Sequence, residues 1–208
     1  LEFRRVLFRS RPFIHGLIDT RGDYRPCCRF VGPSTHSAKT STVDEWWTSL
    51  EMDNIREGML SGKKIQGCQR CYRQEKQGAY SFRQQSNDEL GHLHIPEIFP
   101  RDWEIQITNL CNLKCLMCNP FSSSQFLKEN NKLNIGNWRQ RDYDFDTPDR
   151  VEEVLRRGRS FVFRGGEPFI IPWLKDIIKG LKESKSIMLI TNCTTFDADW
   201  IDILDRKS

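Results

Sequence analysis

No apolar run in the sequence approaches the ~18 residues that a helical membrane span requires. That absence excludes the common helical membrane proteins and predicts a soluble chain with no membrane partner. The opening stretch is not expected to be a secretory signal either. LEFRRVLFRS is too short and too often broken by arginine to be one, and residues 1–11 are set aside as an unstructured tail or an assembly scar. An excess of one charge sign is also lacking. Formal net charge is +4, and Arg4, Arg5, Arg9 and Arg11 against Glu2 place most of it in that tail. The nearly neutral remainder offers no basic stripe for a phosphate backbone, so no nucleic-acid partner is expected. There is no internal repeat and no initiating Met. The closing DWIDILDRKS stops inside what reads as an amphipathic helix, so a fragment of a longer protein is expected.

Cysteine is what the sequence has in quantity. Eight cysteines without an export signal point to a reducing, cytoplasmic compartment, where thiols serve metals or redox chemistry more often than disulfides. They fall into two regions, separated by the weakly periodic QQSNDELGHLHIPEIFPRD, which puts a boundary near residue 100. The first region is loop-rich, with short helices expected over 43–50, where Trp46, Trp47 and Leu50 share an apolar face, and over 55–60. A region of that kind often needs a metal for stability.

Beyond residue 100, strand and helix alternate. Strands are expected at 103–108, 160–164 and 186–191. One helix follows a Thr147 cap and Pro148, with Val151, Val154 and Leu155 on one face and Gly158 as its stop. Another starts near Pro172, with Trp173, Ile177, Ile178 and Leu181 at helical spacing, and Asp197 can cap a last one. This order predicts an α/β fold with a parallel sheet and right-handed crossovers.

CNLKCLMC, residues 111–118, places Cys111, Cys115 and Cys118 on the loop after the first of these strands, with no histidine nearby. Thiolates suit zinc, copper(I) and iron-sulfur clusters. Structural zinc closes its shell with four ligands, so three thiols suit an iron-sulfur cube with one iron left open. Buried small hydrophobes, or a zinc site completed by Cys193, are the alternatives on spacing alone. A second motif, GGEP at Gly165–Pro168, follows the next strand on the same sheet edge, where ligands bind in parallel β/α structures.

Together, CxxxCxxC and GGEP on successive strand ends resemble the radical S-adenosylmethionine (SAM) superfamily. The resemblance implies the first part of a partial (β/α) TIM-type barrel over 101–208. Cys111, Cys115 and Cys118 would hold a 4Fe-4S cluster whose open iron is chelated by SAM. Gly165 and Gly166 would admit the methionine end of SAM, Glu167 would fix local geometry or meet its ammonium, and Pro168 completes the motif. Met117 stands where an aromatic is usual. TNC, Thr191–Cys193, resembles the family's frequent Thr-Asn-Gly, with Cys193 expected as a packing thiol. The implied activity is that of an oxidoreductase that reductively cleaves SAM to a 5'-deoxyadenosyl radical for hydrogen abstraction. A reducing donor such as flavodoxin or ferredoxin is implied too, as is a degenerate alternative that binds SAM without cleaving it.

RPCCRF and GCQRCYRQEKQGAY set Cys27 and Cys28 beside a CxxC at Cys68 and Cys71. With the preceding tryptophan helix, they resemble the twitch or SPASM auxiliary-cluster modules of that superfamily, although such modules usually follow the barrel. Residues 12–100 are therefore expected to form a small metal-binding module, with Cys27, Cys68 and Cys71 holding an auxiliary iron-sulfur cluster. A structural zinc ion is the rival occupant. Auxiliary-cluster relatives suggest a peptide or protein substrate. His92 and His94 are expected to be surface residues, and 139–150 a solvated loop or lid.

Overall fold

The computed structural model describes residues 10–90, 96–137, 148–181 and 185–205. Two compact units emerge, one from Leu1–Leu17 and Tyr24–Asp102, the other from Ile18–Asp23 and Trp103–Ser208. His92, His94, Trp138, Thr147 and nearly all of the expected lid loop lie outside the described residues.

In the first unit a short helix, α1 (Arg11–Ile14), leads into β1 (His15–Ile18), whose sheet neighbour is β2 (Tyr24–Arg25). The helix expected over 43–50 is divided. α2 covers Val43–Trp47 behind a reciprocal capping box between Thr42 and Glu45, and α3 covers Leu50–Leu60, with Ser49 as its own cap. Two adjacent cap signals, Thr42 and Ser49, start two helices, so Leu50 opens a new one and is 82% exposed instead of sharing the face of Trp46 and Trp47. Both tryptophans are buried, and Tyr24 stacks on Trp46 at 5.1 Å. Arg56 lies in this core with its guanidinium 4.2 Å from the Trp47 ring, donating to the carbonyls of Pro12 and Trp47. A turn at Gln66–Cys68 then feeds α4 (Gln69–Lys76), followed by α5 (Phe82–Leu90).

The second unit contains β3 (Asp102–Gln106), α6 (Ser124–Lys132), α7 (Pro148–Arg157), β4 (Ser160–Arg164), α8 (Pro172–Gly180), β5 (Ser186–Leu189) and α9 (Ala198–Asp205). Its sheet order is β3-β4-β5, and β4 pairs with β5 in parallel, from Ser160 opposite Ser186 to Phe163 opposite Leu189. Parallel pairing of consecutive strands requires the α8 crossover between them. The expected alternation is thus present, and the fold is mixed α/β with a parallel sheet.

Val151, Val154 and Leu155 are all buried, as their spacing predicted. Gly158 has a second reason to be glycine, since a Cβ there would lie 2.9 Å from Trp103 and 2.8 Å from Phe161. On α8 the buried pair is Leu174 and Ile178, with Trp173, Ile177 and Leu181 half-buried. Asp197 does cap α9, accepting from the Trp200 amide at 2.9 Å. The Lys175 ammonium bonds the same carboxylate and holds its pKa below the ordinary range. Among the described residues, no helix is long and apolar enough to cross a membrane.

Candidate metal and cofactor site

The loop after β3 carries the three cysteines, and buried polar side chains hold its backbone to the start of α6. Asn109, fully buried, donates to the Pro120 carbonyl at 2.9 Å, and its own carbonyl accepts from the Ser124 amide at 2.7 Å. The Ser124 hydroxyl accepts from the Cys111 amide at 3.2 Å and donates to the Cys111 carbonyl at 3.3 Å. Ser123 caps α6 by accepting from the Phe126 amide, while its hydroxyl donates to the Leu113 carbonyl at 2.9 Å. Sequence reasoning passed over Asn109, Ser123 and Ser124. The signal available was the serine run before α6, a helix-start pattern.

Cys118 and Cys115 share a tight turn, closed by a 2.9 Å bond from the Cys118 amide to the Cys115 carbonyl. Cys111 and Cys118 are half-buried and Cys115 is exposed, with Leu116 and Met117 almost wholly in solvent at the turn. Burial pushes the Cys118 thiol upward, and the neighbouring charges of Cys111 and Cys115 add to the rise. Among the described residues, no group of three or more His, Cys, Asp or Glu side chains is drawn close enough to hold an ion. The donor set nevertheless fits a thiolate-bound cluster. One held loop carries all three soft ligands, and a metal normally supplies the energy that brings its ligands together.

The GGEP loop packs on the backbone of that same loop. The Gly166 amide donates to the Thr108 carbonyl at 2.7 Å, and the Glu167 amide to the Leu110 carbonyl at 2.8 Å. A Cβ on Gly166 would sit 1.9 Å from the Leu110 oxygen, and one on Gly165 would sit 2.7 Å from the Thr108 oxygen, with φ there at +133°. The resemblance assigned these glycines to an approach by SAM; here their lack of side chains serves a backbone-to-backbone approach. Pro168 follows, buried, at the start of a short 3-10 turn.

Glu167 is 1% exposed and its carboxylate takes three donors: the Phe169 amide at 3.0 Å, the Thr191 hydroxyl at 2.6 Å and the Asn192 amide at 2.7 Å. The strand expected to run to 191 therefore ends at Leu189, and Thr191 and Asn192 turn toward this carboxylate. The Asn192 side chain donates to Asn112 at 3.0 Å and approaches the Cys111 sulfur at 3.9 Å, and Asn112 reaches Thr194 at 2.6 Å. All three strand-end loops thus meet at Cys111. Glu167→Gln replaces one acceptor oxygen with an amide that has nothing to receive it. We expect a loss of about 1–3 kcal/mol in urea unfolding, with the Cys111 end of the network loosened.

Cys193 is exposed, not packed, and its φ of +57° lies in the left-handed region. A glycine adopts that conformation without strain. Cys193→Gly is expected to raise stability by up to about 1 kcal/mol, the relief of strain being partly offset by a freer unfolded chain, with a matching rise in melting temperature.

In the first unit, Cys27, Cys68 and Cys71 are at most 1% exposed, and Cys28 is half-buried. Their two segments are joined by a 2.9 Å bond from the Val31 amide to the Gly67 carbonyl, with the Phe30 ring filling the space where a Gly67 side chain would go. None of the eight cysteines is in a disulfide.

A comparison with known families adds to the geometry. Residues 105–207 match the family model of the Radical SAM superfamily. The matched stretch begins within β3 and takes in the three cysteines, GGEP, Thr191 and all of α9. Such a match suggests SAM-dependent radical chemistry, which in that superfamily generally uses SAM and a 4Fe-4S cluster. Neither the curated proteins nor the solved structures give a significant match.

Proposed function

We propose that the chain works as a radical SAM oxidoreductase, with Cys111, Cys115 and Cys118 holding a 4Fe-4S cluster. When bound, that cluster would supply the electron that splits SAM into methionine and a 5'-deoxyadenosyl radical. Gly165, Gly166, Glu167 and Pro168 pack against the cysteine loop, Thr191 anchors the β5 loop to Glu167, and Met117, exposed at the turn, would be open to contact with SAM. The observation that carries this reading is the pair of amide bonds from Gly166 and Glu167 to Thr108 and Leu110, which makes one surface of both motifs. Each motif is weak alone; their contact is what a shared ligand site requires.

The first unit is read as a twitch-like module in which Cys27, Cys68 and Cys71 bind an auxiliary iron-sulfur cluster. Their near-complete burial favours a second reading, a closed zinc ion with Cys28 as fourth ligand, because a structural site needs no open position. A peptide substrate and a flavodoxin- or ferredoxin-like donor complete the proposal, and the cytoplasm is its natural setting.

Anaerobic reconstitution with iron and sulfide tests it. The expected results are a sulfide-containing chromophore, a spectral change on adding SAM, and 5'-deoxyadenosine after reduction with dithionite. Tightly bound zinc without sulfide, and no response to SAM, would overturn it. A spectral response without 5'-deoxyadenosine would identify a SAM-binding protein that does not cleave it.

A further inference from the structure

A groove of about 710 Å³ opens on the first unit, beside the junction of its two cysteine segments. Ile55 forms its buried floor, Phe30 and Ile65 are half-buried walls, and Val31 and Pro33 are exposed apolar edges. Its volume lies in the range of ligand sites, which are mostly apolar with a few placed polar groups. The polar groups here are unevenly engaged. Glu51, the acid at the rim, is taken by the Thr35 amide and hydroxyl, with His36 3.9 Å away. Arg70 and Arg73, one turn apart on α4, also line it, and no side-chain hydrogen bond or ion pair occupies either guanidinium among the described residues.

We propose that this groove binds a peptide segment in which acidic side chains alternate with apolar ones. Two uncommitted guanidiniums at i and i+3 have side chains about 5–6 Å apart at Cβ, so they can grip one carboxylate from both sides or two from an extended strand. Phe30, Ile55 and Ile65 take the apolar side chains between those acids. A basic peptide is excluded by the same arginines, since Glu51 is already engaged. The groove wall is continuous with the cysteine segments, Phe30 and Val31 following Cys28 and Gln66 and Gly67 preceding Cys68, so a bound peptide would lie against the proposed metal module. The proposal depends on neither SAM cleavage nor the identity of the metal.

The test is fluorescence anisotropy on the anaerobically purified full chain, with fluorescein-labelled acetyl-Glu-Val-Glu-Leu-Glu-amide. Alongside it run the counterpart with lysine for glutamate and the one with serine for valine and leucine. Expected is a Kd of about 10–100 μM for the first peptide, at least about tenfold weaker binding for the other two, and weakening as salt rises. Arg70→Glu with Arg73→Glu, both on an exposed helix face, should lower affinity at least about tenfold with an unchanged far-UV spectrum. Arg70→Lys with Arg73→Lys should retain most of it. No binding below about 1 mM, equal binding of the lysine peptide, or indifference to the double reversal would overturn the assignment. Because no outcome involves 5'-deoxyadenosine, failure here is separable from failure of the SAM reading.

Discussion

Cys115→Ala should leave the chain folded and abolish 5'-deoxyadenosine formation. Cys115 is the exposed member of the trio, and the part of it that holds the turn is its carbonyl, which accepts from the Cys118 amide. Alanine keeps that carbonyl, so the stability of the cluster-free chain should stay within about 0.5 kcal/mol of the cluster-free parent, as for other exposed substitutions. The metal should not survive so easily. Losing only an outer-shell partner typically costs 10–100-fold in metal affinity or activity, so losing a direct thiolate should cost at least about 100-fold in product. Reconstituted iron and sulfide should drop by the content of one cluster. Cys193→Ala is the control, since that thiol is expected to hold no iron and its removal should leave the cluster content unchanged. Product at parental level from Cys115→Ala would sink the ligand assignment, and a loss of iron in Cys193→Ala would return the rival four-thiolate site.

The next largest effect is expected from Gly166→Ala. The added Cβ would lie 1.9 Å from the Leu110 oxygen and 2.5 Å from its carbonyl carbon. A side chain could rotate out of the way of such a clash, but backbone cannot, so the two loops must separate. Separation breaks the bonds from Gly166 to Thr108 and from Glu167 to Leu110. Overpacking of this kind and two lost internal hydrogen bonds together should cost about 3 kcal/mol or more, read as a lower urea midpoint. Iron loading should fall with it, because Cys111 follows Leu110 directly. Gly62→Ala calibrates the argument. Its φ is +74° but no atom lies within 4 Å of the added carbon, so only the ~1–2 kcal/mol conformational penalty should appear. Equal losses at the two positions would show that conformation, and not the close approach of two loops, is what Gly166 supplies.

These two cases mark how far the candidate site could be read in advance. That Cys111, Cys115 and Cys118 share the loop after β3 was legible because the strand pattern before them is local. Asp197 and the Val151, Val154, Leu155 stripe were legible because caps and helical periodicity are local. The division of the 43–50 helix was missed, although Ser49 is itself a cap signal, because the apolar spacing of Trp46, Trp47 and Leu50 fits a continuous helix equally well. Leu174 was passed over for Trp173 because hydrophobicity does not say which of two adjacent residues faces the sheet. Cys193 was misread because nothing in the letters Thr-Asn-Cys reports a left-handed backbone.

What the sequence determined by itself, then, is the short-range part: alternating strand and helix, two cysteine groups, and three soft side chains gathered on one strand-end loop. Tertiary structure alone decided that Gly166 lies against Leu110, that Glu167 gathers Phe169, Thr191 and Asn192, and that Asn109, Ser123 and Ser124 hold the cysteine loop. The reason is physical. Ligand type and periodicity are carried by neighbouring residues, whereas hydrogen bonds and close approaches between strand-end loops exist only once the parallel sheet has brought distant segments to one edge.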